Sequence, residues 1–275
     1  MDVMPELPEV ETTRSGIAPF VENQIVSQVI VRDGRLRWPV TAGLNNILVG
    51  KTISAVKRRA KYLLLQTDSG TLLIHLGMSG RLRVLNEAIT PAKHDHVDIA
   101  FANGMTLRFT DPRRFGAVLW TEQDPAAHPL INHLGPEPLS DDFTGRYLFD
   151  RSRKRQISIK TFIMNAEVVV GVGNIYASES CFMAGIHPRI IAGRLTRKQA
   201  DKLAECIKIV LGKAIAAGGT TLRDFRDSDG KPGYFAQELL VYARQNMGCR
   251  QCGHPIELIR QANRATYFCP ICQKR

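Results

Sequence analysis

Four cysteines near the C-terminus have the spacing of a metal site. Cys249 and Cys252 form one C-x2-C pair and Cys269 and Cys272 another, with sixteen residues between the pairs. Two such knuckles gather four thiolates, a soft donor set that closes tetrahedrally on Zn2+ and leaves no position open for a substrate. The expectation is one structural Zn2+, with the intervening segment folded as a hairpin carrying Arg260, Asn263 and Arg264. Spacing alone leaves open whether this ribbon only staples the chain or also presents its hairpin to a partner.

A second candidate lies at the opposite end, in Met4-Pro5-Glu6-Leu7-Pro8-Glu9-Val10-Glu11. Pro8 suits the first turn of a helix, where Glu9 and Glu11 meet the positive end of the dipole. Pro5 is chemically unusual: a proline with nothing before it is a secondary amine, able to attack an aldehyde carbon and form an iminium. In the full sequence Met4 acylates that nitrogen. The amine chemistry therefore requires Met1-Asp2-Val3 to be a removable leader or a mis-assigned start, and Met4 to be trimmed. The competing reading is that both prolines only stiffen a terminus.

Lys and Arg number 37 against 26 Asp and Glu, a formal charge of +11. That balance favours a polyanionic partner, nucleic acid first. No apolar run reaches the roughly 20 residues that span a bilayer, and the acidic N-terminus lacks the regions of a signal peptide. The expectation is a cytoplasmic monomer without membrane contact. Cys181 and Cys206, isolated from the cluster, read as core thiols of a reducing compartment.

Three further segments pair cations with glycines or aromatics. Arg58-Arg59-Ala60-Lys61-Tyr62 precedes an apolar strand, and strand alternation sends Arg59 and Lys61 to one face, Arg58 and Ala60 to the other. Asp111-Pro112-Arg113-Arg114-Phe115-Gly116 sets Arg113 and Phe115 on a rigid turn between strands, suited to wedging into a stacked duplex, and Met78, flanked by Gly77 and Gly80, is a candidate second wedge. Gly171-Val172-Gly173-Asn174 opens a helix whose amides can hold a phosphate, with Lys154, Arg155 and Lys160 upstream and His187-Pro188-Arg189 downstream. Each has a plain structural alternative: a solvated charge run, ordinary hairpins, tight helix packing.

The elements that position these residues fall into two halves. β-branched runs recur at Gln24–Val31, Ile53–Lys57, Tyr62–Thr67, Thr71–His75, Leu82–Leu85, Val97–Phe101, Thr106–Phe109 and Ala117–Thr121, separated by turns such as Asp68-Ser69-Gly70 and Asn103-Gly104. The first half thus reads as a β-sandwich or barrel behind a leading helix. A proline- and acid-rich stretch follows from His128 to Asp142. Helical spacing then appears over Phe143–Phe149, Ile157–Met164, Ile175–Ala184 and Thr196–Ala216. The fold class is α+β.

Taken together and in order, these motifs resemble the formamidopyrimidine-DNA glycosylase and endonuclease VIII family over nearly the whole chain. Ser228-Asp229-Gly230-Lys231-Pro232-Gly233-Tyr234-Phe235 and the set Met78, Arg113, Phe115 resemble the branch acting on oxidised purines. The resemblance implies residues 1–135 as an N-terminal catalytic β-sandwich, 136–150 as a linker, 151–240 as a helix-two-turn-helix DNA-binding domain with a lesion-capping loop, and 241–275 as a zinc finger. It implies a bifunctional enzyme of base excision repair, excising 8-oxoguanine and formamidopyrimidines from damaged double-stranded DNA in the bacterial cytoplasm, at the nucleoid. Pro5 matches the nucleophile, Glu6 the acid/base carboxylate, Lys61 the lysine of β-elimination, and Arg264 the arginine of δ-elimination. Met78, Arg113 and Phe115 match the residues that fill the gap left by an everted base; His94, Arg155, Lys160 and Asn174 match backbone contacts. Phe162–Glu167 follows the family pattern more loosely. Two rivals remain at this level: an endonuclease VIII-like specificity for oxidised pyrimidines, and a zinc-dependent DNA-binding protein without catalysis.

Overall fold

The computed structural model describes residues 5–87, 89–219 and 238–274. The Ser228–Phe235 loop expected from the sequence lies outside the described residues. The chain divides into two compact units, Met1–Asn132 with Ala217–Tyr234, and His133–Ala216 with Phe235–Arg275.

The first unit opens with α1 (Leu7–Val21), followed by β1 (Val26–Val31), the short α2 (Leu44–Leu48), and seven strands: β2 (Ala55–Arg59), β3 (Tyr62–Gln66), β4 (Thr71–His75), β5 (Arg81–Leu85), β6 (Asp95–Phe101), β7 (Thr106–Thr110) and β8 (Ala117–Thr121). Antiparallel pairing gives two four-stranded sheets, ordered β1-β6-β7-β5 and β2-β3-β4-β8. Alternate residues of both sheets (Leu63, Leu65, Leu72, Ile74 and Val97, Ile99, Leu107, Phe109) share one buried core with Val10, Ile17 and Val21 of α1. Burying such side chains contributes about 1.5–3 kcal/mol each, and this shared core is what makes the two sheets a sandwich.

The opposite face of the β1-β6-β7-β5 sheet buries charge. A bulge between Asp95 and Val97 inserts one residue, so Asp95 joins Asp98 on the polar side while Val97 keeps to the core. Arg108 answers both carboxylates, donating to Asp98 Oδ1 and Oδ2 at 2.8 Å each and to Asp95 at 3.4 Å, with Arg32 adding a bond to Asp98 at 2.6 Å. Burial pushes the Asp98 carboxyl up, but Arg108 and Arg32 outweigh it and hold the group below its ordinary value. Arg108 also donates to the Ile89 carbonyl, and Asp95 accepts from Ala92 N–H, so the network straps down the loop that ends at His94.

The second unit holds α3 (Gly145–Ser152), α4 (Ile159–Ile163), α5 (Asn174–Ala184), α6 (Arg197–Ala216) and the hairpin β9 (Glu257–Gln261) with β10 (Arg264–Phe268). Thr144 caps α3 by accepting from Tyr147 N–H, and Ser158 caps α4 by accepting from Thr161 N–H. Helix α5 is buried on nearly every face, from Ile175 to Phe182. Its Glu179 carboxylate accepts from the amides of Leu240, Val241 and Tyr242 at 2.8, 3.0 and 2.8 Å, pinning the segment that leads to the zinc hairpin. Burial raises the Glu179 carboxyl, and those amides oppose the rise. The helical spacing read over Phe143–Phe149 falls on α3, so residues 145–150 of the expected 136–150 linker are packed helix, with Leu148 and the preceding Phe143 fully buried.

Candidate active site and nucleic-acid interface

In the first unit, Pro5 and Glu6 stand at the head of α1. Glu6 is 2% exposed and serves as N-cap; its backbone N–H donates to Glu9 Oε2 at 3.0 Å, one arm of a capping box. Farther along α1, Glu11 accepts from Arg58 Nε at 2.8 Å, and the same guanidinium donates to the Ala60 carbonyl at 3.0 Å. Arg58 therefore braces the Pro5–Glu6 helix against the turn that carries Lys61.

That turn corrects the sequence expectation. Ala60 has φ +54°, so Ala60 and Lys61 form the tight connection between Arg59 and Tyr62, which pair across β2 and β3. Strand alternation stops at Arg59, and Arg59 and Lys61 do not share a strand face. Ala60 tolerates a left-handed backbone because its small side chain is buried, 4% exposed, and its carbonyl is held by Arg58.

The wedge candidates are brought together. Asp111, fully buried, accepts from Ser79 Oγ at 2.7 Å on one carboxylate oxygen and from Gly116 N–H at 2.8 Å on the other. Its own N–H donates to the His94 carbonyl at 3.0 Å, and His96 Nε2 donates to its carbonyl at 2.8 Å. One side chain and its peptide groups thus join the Met78 loop, the Arg113–Phe115 loop and His94. Gly77, at φ +64°, is required at this junction, since a Cβ there would lie 2.4 Å from the Phe115 carbonyl carbon. Phe115 remains 40% exposed, with the Arg113 guanidinium 5.1 Å from its ring centroid.

Beside them is a cavity of about 560 Å3 lined by Arg35, Leu36, Arg37, His75, Gly77, Met78, Arg114 and Phe115. Burial, then the charges of Lys61 and Arg37, hold His75 down to about 4. Its neutral Nδ1 accepts from Gly77 N–H at 3.0 Å. Sequence reading missed His75 as a site residue, because it looks like the end of a strand; its only signal was its place next to the Gly77–Gly80 turn.

In the second unit Lys160 differs from an open backbone contact. It is 1% exposed, and its ammonium donates to Asn174 Oδ1 at 2.5 Å, Thr266 Oγ1 at 2.8 Å and the Ala265 carbonyl at 3.2 Å. Lys160 ties α4 to the head of α5 and to the hairpin; Asn174 is half-buried beside it, and Arg155 and Arg264 are exposed. Gly173, which has no side chain to cap with, stands at the N-cap of α5.

The four sulfurs of Cys249, Cys252, Cys269 and Cys272 lie within 4.8 Å of one another, with Cys249–Cys272 at 3.9 Å and Cys252–Cys269 at 3.5 Å. A tetrahedral Zn2+ with Zn–S near 2.3 Å needs sulfurs about 3.8 Å apart. The donor set and its spacing fit Zn2+.

Three family profiles match the chain: "Formamidopyrimidine-DNA glycosylase N-terminal domain" over residues 4–118, the H2TH domain of the same enzymes over 134–226, and "Zinc finger found in FPG and IleRS" over 249–275. The formamidopyrimidine-DNA glycosylase of Syntrophotalea carbinolica is 57% identical, the match covering 98% of this chain and 100% of the relative. The chain belongs to the formamidopyrimidine-DNA glycosylase family. Among solved structures it is similar to the MutM (FPG) protein of Thermus thermophilus, with TM-score 0.87, 38% identity and 98% coverage of both chains. It is similar also to Lactococcus lactis Fpg in complex with DNA containing an abasic site, with TM-score 0.91, 33% identity, and coverage of 98% of this chain and 100% of that one. Membership in this family of glycosylases with abasic-site lyase activity accounts for the fold, the sandwich followed by helices and a zinc ribbon. Among the described residues no helix is long and apolar enough to cross a membrane.

Proposed function

We propose that the chain excises oxidised purines, 8-oxoguanine and formamidopyrimidines, from duplex DNA and then cleaves the strand, with Pro5 as nucleophile. What carries this reading is the Glu11–Arg58–Ala60 brace, which fixes Pro5 and Glu6 at the head of α1 against the Lys61 turn within one unit. Three groups suited to amine catalysis thereby sit on connected elements rather than on independent loops.

Once freed of the preceding residues, the Pro5 nitrogen attacks C1′ of an everted nucleotide and the bond from C1′ to the base breaks. Glu6, buried at the helix cap, supplies the proton that assists ring opening. The resulting iminium acidifies the C2′ proton, and loss of that proton expels the 3′ phosphate by β-elimination. Lys61 serves that proton transfer and grips phosphate; Arg264 serves the second, δ, elimination at the 5′ side. Met78, Arg113 and Phe115 fill the duplex gap, and His94, Arg155, Lys160 and Asn174 serve the DNA backbone, Lys160 by orienting Asn174. The partner is damaged double-stranded DNA, engaged by a monomer.

Borohydride reduction of a reaction on an 8-oxoguanine duplex, followed by peptide mapping, tests the reading. An adduct on Pro5 is expected. Duplex binding without any trapped adduct would overturn the amine mechanism and return the chain to a binding role.

A further inference from the structure

Gln261 and Arg264 are Cα partners at the closed end of the β9–β10 hairpin, joined by Ala262 and Asn263 at φ +45° and +60°. Directly paired residues project to the same face, so their side chains are neighbours. Gln261 Nε2 donates to the Pro188 carbonyl at 3.2 Å, which fixes the orientation of the amide, since a carbonyl can accept only from the nitrogen. The other end of the amide is unsatisfied: Oε1 is sealed from solvent and has no hydrogen-bond donor. A buried acceptor in that state is costly and calls for a donor.

The residues around it narrow the choice. Gln261 lines a cavity of about 290 Å3 with Lys160, Thr161, Met164, Asn165, Ala262 and Arg264. Lys160 already donates to Asn174, Ala265 and Thr266. The Thr161 hydroxyl is engaged with Ser158. Two donor groups remain among the described residues: the Asn165 amide nitrogen, whose oxygen accepts from Glu167 N–H, and the Arg264 guanidinium, which has no hydrogen bond or ion pair, belongs to the residue paired directly with Gln261 and offers five donors in a rigid fork. A phosphate oxygen could not satisfy Oε1, because both are acceptors.

We infer that Gln261 is a positioning residue for Arg264: its amide, anchored on Pro188, accepts one guanidinium N–H and so aims the remaining donors at the anion that Arg264 grips. This deepens the reading of Arg264 as the δ-elimination arginine and rests on it. A fixed guanidinium loses less freedom when it meets the departing phosphate than one swinging on a free stem. Loss of the Gln261 bond therefore weakens the second elimination selectively, leaving base excision and the first elimination in place.

The test is single-turnover cleavage of a 5′-labelled abasic-site duplex by the full zinc-loaded chain, reading the ratio of δ- to β-elimination product. Gln261→Leu is expected to lower that ratio about tenfold, the size of one hydrogen bond to a charged group, with duplex affinity little changed. Gln261→Glu keeps the size, loses the bond to Pro188 and holds Arg264 as an ion pair, so it also lowers the ratio. Both variants are checked for zinc content. An unchanged ratio in these variants, where Arg264→Ala does shift it, would overturn the positioning role alone. An unchanged ratio in Arg264→Ala would overturn both this inference and the assignment of Arg264. Parallel loss of binding and both products at a constant ratio would mark Gln261 as merely structural.

Discussion

The Ser79 hydroxyl donates to Asp111 Oδ1 at 2.7 Å and accepts from Arg113 N–H at 3.2 Å, so the loop bearing Met78 and the loop bearing Arg113 and Phe115 share one hinge pin. Ser79→Ala removes a bond to a buried carboxylate, a loss of about 1.5–3 kcal/mol. The two loops should loosen. Discrimination between 8-oxoguanine and undamaged duplex, measured as a ratio of dissociation constants, is expected to fall with abasic-site cleavage retained. Phe115→Ala should lower the same ratio, because an inserted apolar side chain offsets a few kcal/mol of unstacking. An unchanged ratio in Phe115→Ala would remove Phe115 from the duplex interface.

Glu6→Gln preserves the size of a buried helix cap and removes the proton donor proposed for base excision. Base excision should fall by at least about a hundredfold while affinity for lesion duplex stays within a few fold. Single-turnover excision and fluorescence anisotropy measure the two quantities. Equal loss of both would assign Glu6 to folding alone.

His75 makes stability depend on pH. Its folded value, about 4, lies below the ordinary 6.5, so the unfolded chain binds the extra proton first as pH falls. The contribution is fully present above about 6.5 and is lost between about 6.5 and about 4, amounting to at most about 3 kcal/mol. Urea midpoints across that window should decline in the wild type, and the decline should be shallower in His75→Asn. Identical slopes would show that His75 does not carry the effect.

Zinc removal by a chelator should release the hairpin that presents Arg264, since four crowded thiols have little to hold them without a cation. Loss of duplex binding is expected together with retention of the sandwich strands by circular dichroism. Binding that survives full zinc loss would make the ribbon dispensable for DNA.

The sequence by itself determined the strands and the metal site. Strands such as Thr71–His75 and Ala117–Thr121 coincide with their apolar runs, because side-chain alternation and turn residues act locally. The cysteine spacing is a covalent constraint and needed no context. Pattern also identified the Arg113–Phe115 turn, though not the Asp111 hub at its root, whose partners Ser79 and His94 come from other turns and His96 from β6.

Tertiary structure decided what depends on partners far along the chain. Ala60 adopts a left-handed turn that its own propensity disfavours, because Arg58 and the β2–β3 pairing hold it there. Asp95 reads as a core-face residue until the bulge at Asp95/Val97 turns it to Arg108. Lys160 looks like a surface cation in a basic stretch, yet Asn174 and Thr266, fourteen and 106 positions away, supply the acceptors that permit its burial. Local sequence sets backbone preference and periodicity, whereas burial of a charge is settled by whichever distant groups can satisfy it.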